Sequence, residues 1–113
     1  GFLSLFLFDP ETSLLENPVA IHLHEKYGDE LFYYYDNVEV DFCLFEHQYA
    51  FQVSYSIKDA ATRERELGVL KAYHKRFPNS KLFVITMDEE ETIMYEGVVI
   101  EVLPVWKWLL MEK

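Results

Sequence analysis

The chain has 113 residues, of which 50% are apolar and 17% aromatic, with 10 Lys and Arg against 20 Asp and Glu for a formal net charge of −10. That length admits one domain, and the apolar fraction excludes a disordered chain. The acidic balance argues against a general nucleic-acid binder, which needs clustered Lys and Arg. The single cysteine, Cys43, excludes an internal disulfide framework and a Cys-rich zinc site.

The chain opens on an apolar run, Gly1 to Phe8. It is far short of the about 20 residues a membrane span needs, and it lacks the basic flank and cleavage site of a signal peptide. A cytoplasmic address follows as the default. The run is expected either to pack on this domain's own core or to mark a junction with an upstream part. Asp9-Pro10 reads as a turn or helix start, and Ser13 to Tyr27 as a helix ended by Gly28. Its apolar stripe is Leu14, Leu15, Val19, Leu23 and Tyr27. Pro18 implies either a kink or a helix starting there with Asn17 as cap.

Three strand-like runs follow. Leu31 to Tyr35 ends at the turn pair Asp36-Asn37. Val38 to Phe45 alternates, placing Val38, Val40, Phe42 and Leu44 on one face and Glu39, Asp41, Cys43 and Phe45 on the other. Gln48 to Tyr55 alternates again, Tyr49, Phe51, Val53 and Tyr55 against Ala50, Gln52 and Ser54. Together they predict an antiparallel meander. Asp59 caps a helix over Ala60 to Phe77, with Leu67, Leu70, Tyr73 or His74, and Phe77 at helical spacing. Lys81 to Thr86 reads as a strand buried on both faces, and the intervening helix allows a crossover to a parallel strand. An acidic loop, Asp88 to Glu91, precedes a hairpin of Thr92 to Tyr95 and Val98 to Val102 around Glu96-Gly97. Pro104 closes the last strand, and Val105 to Met111 forms a short helix burying Trp106 or Trp108. The expected fold class is α/β (α+β): a central mixed sheet flanked by helices, in the order α-β-β-β-α-β plus a hairpin and a short helix.

The strongest site candidate comes from strand periodicity. Pairing of the second and third strands would bring Asp41, Gln52 and Ser54 together, with Glu39 on the face of Asp41 and Glu16 approaching from the first helix. An acid on one strand followed by acid-x-lysine on the next can hold a hard divalent cation and orient water for phosphodiester attack. Here Gln52 stands at the second acid and Ser54 at the lysine. A neutral amide is a weaker ligand than a carboxylate, and a serine carries no charge. Polar residues on the wet face of a half-buried sheet are the bland alternative.

Other candidates are weaker. His22 and His24 lie about 200° apart around a helix and cannot grip one metal. His47 falls in a turn and His74 late in a helix, each with no visible partner, and Cys43 reads as a packing residue. Lys71, Lys75, Arg76 and Lys81 form a basic cluster at a helix C-terminus, where cations offset the helix dipole. Arg63 with Glu66, and Arg65 near Glu64 and Glu66, read as a solvated helix face. Four glycines, none clustered, cannot make a phosphate-binding loop.

The segments LLENPVAIHLHEKYGDELFYYYDNVEVDF, FQVSYSIKDAATRERELGVL, KLFVITMDEEETI and IEVLPVWKWLL together resemble the C-terminal domain of unknown function numbered 4143 of bacterial AAA-type P-loop ATPases, in a branch common among Bacteroidetes. The resemblance implies a restriction-endonuclease-like, PD-(D/E)xK, fold. It implies that residues 1–113 are one nuclease-like domain of a larger ATPase, with residues 1–12 left from the connection to the upstream part. By position, Glu16 matches the helix glutamate and Asp41 the strand aspartate of EVDF. Gln52 and Ser54 occupy the Glu and Lys positions of nucleases and depart from both, and Pro18 departs from the usual residue.

Two functions of different class are expected from this. The first is a non-catalytic accessory or interaction domain with a vestigial site, needing no cofactor, ATP being bound only by the upstream part. Its partner is that upstream ATPase domain, or a second copy through the apolar N-terminal run, with nucleic acid and membrane not expected. The second is a divergent nuclease in which Glu16, Glu39 and Asp41 hold Mg²⁺. A specificity domain that binds nucleic acid without cutting it needs a basic patch surviving around Lys71 to Lys81.

Overall fold

In the computed structural model, residues 10–112 are described, with side chains from Leu14 onward. The opening run Gly1 to Phe8, and the expectation attached to it, lies outside the described residues. The chain runs through helix α1 (Pro10–Tyr27), a 3-10 turn (Gly28–Glu30), strands β1 (Leu31–Asp36), β2 (Val38–Leu44) and β3 (Tyr49–Val53), and helix α2 (Ala60–Arg76). Strands β4 (Lys81–Thr86), β5 (Glu91–Tyr95) and β6 (Val98–Pro104) and helix α3 (Val105–Met111) complete it. No described helix is long and apolar enough to cross a membrane.

The six strands form one mixed sheet in the order β1-β2-β3-β4-β6-β5. The β1-β2-β3 meander is antiparallel, β3, β4 and β6 run parallel, and β5 returns antiparallel on β6. The expected crossover from β3 through α2 to a parallel β4 is therefore present. Asp59 caps α2 as its residue type dictates, its carboxylate accepting from Thr62 N at 2.9 Å. The β5–β6 turn takes positive φ at both Glu96 (48°) and Gly97 (86°), the geometry that closes a two-residue hairpin on right-twisted strands.

Each sheet face has its own core. Leu67, Leu70 and Tyr73 of α2 pack on Val40, Cys43, Ala50, Leu82, Val84, Ile100 and Val102. Leu15, Val19 and Leu23 of α1, with Trp108 of α3, cover Phe42, Leu44, Phe51, Val53, Ile85 and Leu103. The predicted burial of β4 on both faces follows from this sandwich. Trp108 is the buried tryptophan and Trp106 is 57% exposed.

Three local expectations change. First, α1 runs continuously through Pro18 and does not start there. Proline removes the donor to the carbonyl of Leu14, and Leu14 is 74% exposed, so it leaves the expected stripe and stands near water. Second, the clean alternation of β2 breaks. Phe32 faces Cys43 but Tyr34 faces Val40, so Asp41 and Phe42 together oppose Tyr33 alone. This bulge sends Cys43 to the α2 core with Val40, while Phe42 and Leu44 enter the α1 core. Third, β3 stops at Val53 and α2 at Arg76, short of Tyr55 and Phe77.

Candidate functional site

The bulge in β2 decides the local geometry. The β2–β3 ladder runs from Leu44 opposite Tyr49 to Phe42 opposite Phe51 and then stops. Beyond it two side chains take over the main-chain bonds. Asp41 N donates to Gln52 Oε1 at 2.8 Å, and Val53 N donates to Asp41 Oδ2 at 2.8 Å. Asp41 and Gln52 thus bridge the point where the strands part, and the expected convergence of these two residues is realised.

Ser54 shares the face of Gln52 and is buried, but its hydroxyl turns along its own chain and donates to Ser56 O at 2.9 Å. Its amide donates to Ile85 O at 3.0 Å, holding the end of β3 against β4. Glu16 arrives from α1 as expected and is only 2% exposed. Among the described residues no hydrogen-bond donor reaches its buried Oε2. Glu39, Asp41 and Glu16 line one cavity of about 300 Å³ with Ala20, Tyr33, Val40 and Phe42.

The residue that the sequence reading misplaced is Glu66. Instead of joining a solvated helix face it is 3% exposed, and its Oε2 accepts from Gln52 Nε2 at 2.9 Å. Its position could have been found: Glu66 lies four residues before Leu70 and seven before Tyr73, on the stripe that faces the sheet. Arg63, its expected partner, makes a two-pronged pair with Glu91 of β5 at 2.7 and 3.0 Å. Arg65 approaches the other Glu66 oxygen at 3.4 Å.

Glu16, Asp41 and Glu66, from three elements, are therefore all buried, and burial shifts each of them. It pushes Glu16 up to about 7, with the charges of Glu39 and Glu66 adding to the effect. Burial also holds Asp41 well above the usual range, reinforced by Glu16 and Glu66. Burial raises Glu66 too, against the opposing pull of the Arg65 guanidinium. Among the described residues no group of three His, Cys, Asp or Glu side chains is gathered closely enough to hold one metal ion.

The remaining candidates resolve into structural contacts. His22 Nε2 meets Glu112 at 3.1 Å, His24 Nε2 meets the Tyr33 hydroxyl at 2.8 Å, and His47 N donates to Glu30 Oε2 at 2.7 Å. Burial pushes the Cys43 thiol up to about 12, and the side chain packs in the α2 core. In the basic cluster, Lys71 pairs with Glu96 and Arg76 with Asp36, both at 2.8 Å. The acidic loop is stapled rather than only solvated: Ile57 N donates to Glu89 Oε1 at 3.0 Å, and Glu90 pairs with Lys107.

The chain is 34% identical over 111 residues to an uncharacterized protein of Methanocaldococcus jannaschii, a match covering 86% of this chain and 24% of that relative. The chain thus spans about a quarter of the length of the curated relative it matches. No family model matches the chain. No solved structure matches it either.

Proposed function

We propose that this domain is a non-catalytic, nuclease-like accessory or interaction module of a larger protein. Its element order, with a meander leading through a helix into parallel strands, supports a restriction-endonuclease-like reading. So does an acid, Asp41, standing where two strands part. The observation that carries the non-catalytic half is the Gln52 bridge. The atom that a nuclease would turn to a cation, Gln52 Oε1, accepts the Asp41 amide, and the other end of the side chain is spent on Glu66. Ser54 supplies no charge to orient water, and its hydroxyl is committed to Ser56 O. With an amide in place of the second acid and no lysine, this donor set is poorer in charge than a hydrolytic Mg²⁺ centre needs.

The partner in this reading is the rest of the longer protein, an upstream P-loop ATPase by the family resemblance. Presence of the matched region within a relative about four times as long supports a module of this kind. The test is a cleavage assay on single- and double-stranded DNA and RNA with Mg²⁺ or Mn²⁺, beside ATP hydrolysis by the full-length protein with and without this domain. No cleavage, with altered hydrolysis or assembly when the domain is removed, is expected. Metal-dependent cleavage abolished by Asp41→Asn would instead establish the nuclease.

A further inference from the structure

The cavity between α1 and the bulge of β2 has a definite chemistry. Its lining includes three acids, Glu16, Glu39 and Asp41. Ala20 and Phe42 add apolar groups to the lining, and the ring of Tyr33, 60% exposed, stands at the surface. Among the described residues its lining contains no lysine, arginine or histidine. The buried Glu16 Oε2 has no donor among the described residues, although a buried acceptor left unmade is costly. Carboxylates, apolar groups and one exposed aromatic ring in a single lining suit a cation carried on a hydrocarbon stem.

We propose that this cavity receives a lysine or arginine side chain from a protein partner. The proposal rests on the non-catalytic reading and names what the module holds. An ammonium has three donors and a guanidinium five, so either can serve separated carboxylate oxygens without an octahedral ligand set. The methylene stem covers Ala20 and Phe42, as long basic side chains do on apolar surface. The Tyr33 ring adds a face on which the cation can rest. The chain's net charge of −10 complements a basic protein surface.

The test uses the 113-residue chain and three probes: n-butylammonium chloride as the lysine side-chain analogue, the tripeptide Ac-Gly-Lys-Gly-NH₂, and spermidine. Titrations are followed by amide chemical shifts at pH 8, against sodium chloride of equal ionic strength. The expected result is saturable shifts at Ala20, Tyr33 and Phe42. Glu16→Gln should weaken binding about tenfold, the loss of one charge-assisted hydrogen bond, and Glu91→Gln, outside the cavity, should leave it unchanged. Should Glu16→Gln fail to fold, Tyr33→Ala at the exposed rim carries the same comparison. The tripeptide should bind at least as tightly as spermidine. Absence of saturable shifts overturns the proposal, as does binding indifferent to Glu16→Gln. Mg²⁺ moving the same amides while the amines do not overturns it as well, and spermidine binding with a silent tripeptide overturns the protein source. All of these are separable from the cleavage assay, since a cavity that ignores amines can still belong to a domain that cuts nothing.

Discussion

Gln52 Nε2 donates to Glu66 Oε2 at 2.9 Å, joining the end of β3 to the buried face of α2. The same amide accepts the Asp41 main-chain N–H through its oxygen, so one side chain ties β2, β3 and α2 together at the point where the ladder stops. A carboxylate at position 52 would have no N–H to offer Glu66 and would bring another buried negative charge into the cluster. The amide is therefore a structural solution to the crowding of acids.

Gln52→Ala should be among the more damaging single changes at the sheet. It strands the Asp41 N–H and, among the described residues, leaves Glu66 with Arg65 as its partner, each lost partner costing about 1–3 kcal/mol in a buried setting. A loss of about 2–4 kcal/mol in urea unfolding at neutral pH is expected. Gln52→Glu should also destabilise at neutral pH and recover on acidification, when its carboxyl protonates and can donate. A Gln52→Ala chain as stable as the parent would show that the bridge is dispensable.

The two tryptophans should separate cleanly. Trp108 is 3% exposed and meets Phe51 and His22 with ring centroids 5.7 and 5.1 Å apart, closing the core beneath α3. Trp108→Ala should cost about 3–5 kcal/mol. Trp106 is mostly in water, and Trp106→Ala should stay within about 0.5 kcal/mol. Thermal melts of the two variants side by side check both values.

Much of this was legible in the sequence where the periodicity is strong. The even pattern of β3 placed Ala50 and Gln52 opposite Phe51 and Val53, and the two cores divide them in that way. The Asp59 cap, the Glu96-Gly97 turn and the doubly buried β4 rest on local chemistry that no tertiary contact overrides. The β2 bulge was not legible, because it is an extra residue measured against a partner strand. A strand read alone alternates through Asp41 and Phe42 without a break. Glu66 was missed for a different reason. Its charge outweighed its position on the stripe, although a neighbouring amide donor makes burial of a carboxyl tolerable. The Pro18 ambiguity closed in favour of a through-running helix because the freed carbonyl lies at the exposed Leu14.

Glu112, the last described residue, ties α3 to α1. Glu112 Oε1 accepts from the Tyr27 hydroxyl at 2.7 Å and meets His22 Nε2 at 3.1 Å, joining both ends of the α1–α3 contact. Glu112→Ala should cost about 1–2 kcal/mol, since the Tyr27 hydroxyl is part-buried and loses its acceptor. The same change should lower the Tyr27 phenol toward its ordinary value, because burial and the Glu112 hydrogen bond raise it. An ultraviolet titration of tyrosinate reads the second effect. An unchanged titration would mean that the Glu112 hydrogen bond does not raise the Tyr27 phenol.

The buried acids set the pH dependence of stability, and its sign follows from their direction. Burial raises Glu16 from an ordinary 4.5 to about 7, and raises Asp41 and Glu66 as well. As pH rises, the unfolded chain releases these protons first, so between about 4.5 and 7 the folded chain binds more protons than the unfolded one. Unfolding free energy must therefore fall with pH across that window: the contribution is complete below it and lost as pH rises through the folded value. For Glu16 alone the amount is of the order of 3 kcal/mol. The exposed carboxylates that hydrogen bonds or ion pairs hold low, Asp59, Glu91 and Glu96, act in the opposite sense at more acid pH. Urea unfolding at about pH 5.5, 7 and 8.5 should thus show stability declining upward. Glu16→Gln should flatten the decline by removing the ionisable group while keeping the shape. Stability that rises over this range in the parent chain would mean that the acids are ionised when folded, and that the cluster already holds a compensating cation.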